Sequence, residues 1–151
     1  MRGSARVLLS LALFLTPAGR GSIAQAAGDV NQQVVIIVHP SNPSVELTRA
    51  QVAEIFRRLT TEWPGHSPIH PVDQSSDSTT RQVFSRAVFA QDVSAVKSYW
   101  LHEIYSGRAV PPPEVSDDNA VARIVRSDPG AIGYVASGQL PNGVKAIRVV
   151  P

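Results

Sequence analysis

Apolar positions along the chain follow two periods. Val34 to Val38 is an unbroken β-branched run, which predicts a strand buried on both faces. His39-Pro40-Ser41-Asn42-Pro43 ends it. Apolar residues then return at helical spacing as Ala50, Val52, Ala53, Ile55, Phe56 and Leu59, with Val52, Phe56 and Leu59 sharing a face. Thr48, followed three residues later by Gln51, has the form of a capping box and predicts where this helix starts. Trp63-Pro64-Gly65 turns the chain. Ile69 to Val72 reads as a short strand, and Pro71, which has no N–H to donate, marks it as an edge or a terminus.

The second half repeats the alternation. A helix from Ser78 to Phe89 would bury Val83, Phe84, Ala87 and Val88, and Asp92 would cap the next one, with Val93, Val96, Trp100 and Ile104 on one stripe. Gly107 suits the position just past its end. Pro111-Pro112-Pro113 is an extended crossing. Ser116 or Asp117 starts a helix with Val121, Ile124 and Val125 inward, and Pro129-Gly130 ends it. Ala131 to Val135 and Val144 to Val150 read as strands, with Asn142-Gly143 as a turn near or between them. Strands interleaved with helices predict an α/β fold, a three-layer sandwich with a mixed sheet flanked by helices. The two helices in series between the second and third strands depart from simple alternation.

The N-terminus changes the charge argument. Arg2 and Arg6 precede a short apolar run, Val7 to Leu15, too short to cross a bilayer, and Ala24-Gln25-Ala26 fits a small-x-small cleavage site. Residues 1–26 are therefore expected to be a secretory signal peptide, and residues 27–151 a single domain of the export pathway, periplasmic or secreted. The chain has 14 Lys and Arg against 12 Asp and Glu. Arg2, Arg6 and Arg20 would leave with the signal, giving 11 against 12, so the basic character disappears and nucleic acid has no electrostatic reason to bind. There is no cysteine, which excludes disulfides, thiolate metal sites and a cysteine nucleophile.

Candidate chemistry concentrates in Val72-Asp73-Gln74-Ser75-Ser76-Asp77-Ser78-Thr79-Thr80-Arg81-Gln82, which runs from the end of a strand to the start of a helix. A helix start leaves N–H groups unpaired and carries partial positive charge, and five hydroxyls surround this one. Two readings fit: a neutral-donor cradle for a small oxyanion, or an ordinary N-cap with a solvated turn. Asp73 and Asp77 repel a bare anion and help only if one accepts a proton from a protonated oxyanion. Gly130 and Gly133 in Asp128-Pro129-Gly130-Ala131-Ile132-Gly133-Tyr134-Val135 admit close backbone approach, to a ligand or to a helix, and match no dinucleotide fingerprint. His39, His66, His70 and His102 show no metal-binding spacing, so no metal or cofactor is expected. No Gly-x-Ser-x-Gly elbow accompanies the serines, and no enzyme activity is expected.

Taken in order, Leu47-Thr48, Val52-Ala53-Glu54-Ile55-Phe56, Thr61-Glu62-Trp63, Val72-Asp73-Gln74-Ser75, Ser78-Thr79-Thr80, Phe84 and Pro129-Gly130-Ala131-Ile132-Gly133-Tyr134-Val135 resemble the periplasmic phosphate-binding proteins of ABC importers, in the type II periplasmic-binding-protein superfamily. The resemblance covers nearly all of the chain after the signal and implies one lobe of a fold whose full members have two, with the ligand between them. It places an arginine of the family's binding loop at Gln74 and its Ser-Gly-Thr at Ser78, Thr79 and Thr80. The implied ligand is inorganic phosphate or a similar oxyanion, held by Gln74, Ser75, Ser78, Thr79 and Thr80, with Arg81 one place beyond. A neutral glutamine in place of a bidentate cation, and a ligand covered from one side, imply weak affinity. The implied partners are an ABC transporter membrane subunit, a membrane sensor or a second copy of the chain. The alternative is an interaction or sensory module that keeps the fold without binding phosphate.

Overall fold

The computed structural model describes residues 33–138 and 140–151. The expected signal segment lies outside them. Among the described residues, seven strands and four helices follow one another as β1 (Val34–Val38), β2 (Glu46–Thr48), α1 (Arg49–Phe56), β3 (His70–Pro71), β4 (Asp73–Gln74), α2 (Thr79–Phe89), α3 (Val93–Tyr105), β5 (Glu114–Val115), α4 (Asp118–Ser127), β6 (Ala131–Ala136) and β7 (Lys145–Val150).

Five strands form a mixed sheet in the order β2-β7-β1-β6-β3. β1 lies at its centre and runs antiparallel to both neighbours, with Ile36 opposite Tyr134 on one side and Ile147 on the other. The outer strands β2 and β3 run parallel to β7 and β6. This is why Val34, Ile36, Ile37 and Val38 are all fully buried: a central strand with helices on both faces has no solvent side. One face carries Val34, Ile36, Val38, Ile132, Tyr134 and Ile147 against α1 and α2 through Val52, Phe56, Phe84 and Val88. The other carries Ile37, Ala131 and Val135 against Val121, Ala122 and Val125 of α4. The fold is the expected three-layer α/β sandwich.

The helix boundaries follow local chemistry. Thr48 Oγ1 accepts from the Gln51 N–H at 3.1 Å and Gln51 Oε1 accepts from the Thr48 N–H at 2.8 Å, a closed capping box. α1 stops earlier than its apolar spacing suggests. Arg57 caps it, Arg58 takes a left-handed conformation at φ 61°, and Leu59, expected on the buried face, is exposed. Asp92 caps α3 as expected, and of the two candidates for α4 the cap is Asp117, each accepting from a first-turn N–H at 2.8 Å. Gly107 follows the end of α3 at φ 67°. Ile104, expected on the packed stripe of α3, is instead exposed, because only the Val96 and Trp100 part of that stripe meets the body.

The expected strand Ile69 to Val72 is reduced to His70–Pro71, and a second short strand, Asp73–Gln74, follows with a different partner. The Val72 N–H still donates to Ile132 in β6 at 2.8 Å, whereas the Asp73 N–H donates to Pro113 and Ser75 to Val115. β4 thus leaves the main sheet and pairs in parallel with β5. Pro71 sits in the edge strand, as its missing N–H requires. The divergence carries the chain away from β6 and delivers the hydroxyl-rich loop to the start of α2.

Candidate functional site

Ser78 is the N-cap of α2. Its Oγ accepts from the Arg81 N–H at 3.2 Å and donates to Gln74 Oε1 at 2.7 Å. The N–H groups of Thr79 and Thr80 are first-turn donors with no intrahelical acceptor. Thr79 is exposed and Thr80 half-buried, so their hydroxyls and amides stand at the mouth of the helix. Ser75 and Ser76 are half-buried beside them. Ser75 Oγ donates to Asp77, and Ser76 Oγ accepts from Lys97 Nζ at 2.9 Å. The Ser75 hydroxyl and Lys97 hold the exposed Asp77 carboxyl below its ordinary range, the hydrogen bond being the larger cause. Asp77 is therefore a fixed negative charge at the rim.

Gln74 and Arg81 face inward. Gln74 is fully buried, and its side chain donates to Asp118 Oδ1 at 2.8 Å and to the Tyr134 carbonyl at 3.0 Å while accepting from Ser78. Both amide hydrogens are thereby used inside the protein. Asp118, in the first turn of α4, also accepts from the Ala136 N–H at 2.8 Å, so Gln74 ties β4 to α4 and β6. Arg81 is ion-paired through Nη1 with Asp73 Oδ2, and both side chains are buried. The other oxygen of Asp73 accepts from the Tyr134 hydroxyl at 2.5 Å and from the Gln74 N–H at 2.8 Å. Burial pushes the Tyr134 phenol far above its usual titration range, so it stays a donor.

The six residues expected around an oxyanion are thus close in the fold but divided in role. Ser75, Ser78, Thr79 and Thr80 form the mouth. Gln74 and Arg81 form the wall behind it. Sequence reasoning missed Asp73, Tyr134 and Asp118 as partners of that wall. The only signal for them was the arginine within eight residues of an acidic neighbour, which a helical wheel alone leaves open.

One hollow opens on the inward wall, and a second lies away from it at the 63–68 turn. The first, of about 210 Å³, opens on Asp73, Arg81, Lys97 and Glu114 between Trp100 and Pro111. The second, of about 340 Å³, includes His70, whose Nδ1 lies 2.7 Å from Asp128 Oδ2. Trp63, Trp100 and Tyr134 are all buried and present no aromatic surface. Among the described residues no three His, Asp or Glu side chains are grouped to hold a metal. Among them, too, no helix is long and apolar enough to cross a membrane.

Gly130 and Gly133 serve packing. A Cβ on Gly133 would fall 2.3 Å from Val121 Cγ1, and one on Gly130 would fall 2.6 Å from the Pro68 carbonyl oxygen. Trp63 Nε1 donates to the Gly130 carbonyl at 3.2 Å, which locks the 63–68 turn onto the entry of β6.

Comparison with solved structures finds the same fold in part of several larger chains. An ABC-type phosphate transport receptor from Vibrio cholerae superimposes with a TM-score of 0.62 at 22% identity, covering 78% of this chain and 46% of that one. A putative phosphate ABC transporter substrate-binding protein with bound phosphate from Clostridium perfringens gives 0.63 at 22% identity, with 78% and 44% covered. A possible phosphate binding protein from Planctomyces limnophilus gives 0.55 at 16%, with 78% and 41% covered. The chain spans less than half the length of each and corresponds to one lobe. No curated protein matches it in sequence. A family model described as a PBP superfamily domain matches residues 30–147. On that match and this fold, the chain belongs to the PBP superfamily.

Proposed function

We propose that this protein is an exported, non-enzymatic solute-binding-like protein that holds phosphate or a similar oxyanion weakly and works with a phosphate ABC transporter. In this reading residues 1–26 are a cleaved signal and residues 27–151 the working domain. One observation carries it. The amides and hydroxyls of Thr79 and Thr80 stand uncommitted at the mouth of α2, with Ser75 and Ser78 beside them. Such donors suit a tetrahedral anion at a helix start. The solved neighbours named for phosphate support the choice of anion. Affinity is weak because Gln74 is tied inside the fold, Arg81 is neutralised there by Asp73, and Asp77 adds like charge at the rim. Titration calorimetry with phosphate and with sulfate tests this. A dissociation constant on the order of millimolar is expected, a few kcal/mol of binding. Thr79→Val/Thr80→Val removes both hydroxyls but keeps the amides and the Ser78 cap, so it should weaken binding without abolishing the fold. Absence of heat from either anion at tens of millimolar would sink the reading.

A second reading is an interaction module docking a transporter subunit, a membrane sensor or a second copy. The end of α3 favours it: Leu101, Ile104, Tyr105 and Val110 are all exposed, Tyr105 at 87%. Light scattering after size exclusion at high-micromolar concentration tests the homodimer version, and a monomer there removes it.

A further inference from the structure

Arg81 and Asp73 form the most deeply buried ion pair among the described residues, and no sequence pattern required it. Three donors converge on the Asp73 carboxylate: the Arg81 guanidinium, the Tyr134 hydroxyl and the Gln74 N–H. A guanidinium, a phenol and a backbone amide around two carboxylate oxygens are the donor set with which a protein binds a small external oxyanion. Here the anion is part of the chain. The guanidinium is not exhausted by it, since Arg81 Nε is buried without an acceptor, and one turn along α2 the buried Ser85 Oγ also lacks a partner. The hollow of about 210 Å³ opens on this pair, with Lys97 at its rim.

We infer that Asp73 is a resident counter-ion that occupies the anion place on Arg81, and that it is the residue that keeps this lobe from binding external oxyanions through a cation. The inference assumes the oxyanion reading for its biological sense, but the geometry behind it is separate from the mouth of α2. With Asp73 ionised, a second anion near Arg81 meets both a neutralised cation and a like charge. With Asp73 neutral or absent, Arg81 becomes a buried cation facing a hollow that solutes reach. A buried cation left without its partner is strongly unfavourable, so the site will recruit an anion.

Asp73→Asn keeps shape and removes charge, Asp73→Ala opens space, and Asp73→Ala/Arg81→Met removes both charges as the control. Thermal melts at constant ionic strength compare formate, phosphate and chloride, and calorimetry measures phosphate affinity where the variant is folded. Phosphate should bind Asp73→Asn on the order of tenfold tighter than wild type, the worth of one charge-assisted hydrogen bond. Formate or phosphate should raise the melting temperature of Asp73→Ala, and neither should move the double variant. If Asp73→Ala does not fold alone, its recovery in formate but not chloride gives the same answer. Anion responses of Asp73→Asn and Asp73→Ala no larger than those of the double variant would overturn the inference. Silence of the wild type together with binding by Asp73→Asn would sink native phosphate binding and leave the inference standing.

Discussion

Gly133 has no room for a side chain. It lies on β6 where Val121 and Val125 of α4 press against the sheet, and its Cβ would overlap the Val121 methyl at 2.3 Å. Val121 is fully buried and β-branched, so it cannot swing aside. Gly133→Ala should lower stability by about 1–3 kcal/mol through overpacking, read by urea denaturation. An unchanged midpoint would show that α4 lifts freely from the sheet. The next residue, Tyr134, stacks on Phe84 with centroids 3.8 Å apart and planes within 3°, while its hydroxyl reaches Asp73. A single side chain thus joins the apolar core to the polar wall of the candidate site. The glycine and the tyrosine stand side by side in the sequence, yet nothing local distinguishes a glycine that packs from one that approaches a ligand. The distinction lies in α4, whose position only the fold supplies.

Each helix carries its own start signal. Ser78, Asp92 and Asp117 accept from first-turn amides, and Thr48 closes a capping box. The caps on α3 and α4 are titratable. The Ala120 N–H, and after it the Ser116 hydroxyl, holds the Asp117 carboxyl below its ordinary value of 3.8. A folded pKa below the unfolded one means the cap's contribution is present above the unfolded pKa. It is lost as pH falls through the folded value. Asp117→Asn keeps the acceptor and removes the charge, so its melting temperature should fall less than that of wild type between pH 5 and pH 2.5. Parallel curves would show that Asp117 caps without being linked to protonation. These caps were legible in the sequence because capping is local: the acceptor and the amide it serves are three residues apart. The early end of α1 was not legible, since apolar spacing continues through Leu59 while the backbone has already turned at Arg58.

At the scale of the molecule, one sheet separates two apolar layers. Val125 lies in the α4 layer, whereas Trp63 lies in the layer of α1 and α2. Because β1 and β6 contribute side chains to both layers, neither layer can loosen without the other. Val125→Ala should cost about 2 kcal/mol, from two lost methyl groups and the cavity left behind. Tryptophan fluorescence and far-UV dichroism should report the same lowered midpoint, as for a two-state domain. Separate transitions would mean that the layers unfold independently. The sheet also decides the site: β4 turns from β6 to β5 at Asp73, and that turn carries Gln74 inward while leaving Thr79 and Thr80 outward.

The sequence by itself determined the three-layer class, the central strand, three of the four helix caps by residue and the location of the hydroxyl-rich loop, because periodicity and capping act within a few residues. The match over residues 30–147 agrees with the family resemblance those same segments carry. Only the tertiary structure decided that Gln74 and Arg81 point inward, that Asp73 is the anion Arg81 holds, and that the two glycines serve packing. The inward wall depends on Tyr134 and Asp118, which lie 44 to 61 positions from Gln74 and Asp73 in the chain, and the glycines depend on how α4 and the 63–68 turn meet β6. Burial and ion pairing are set by which surfaces meet, and no local pattern specifies that meeting.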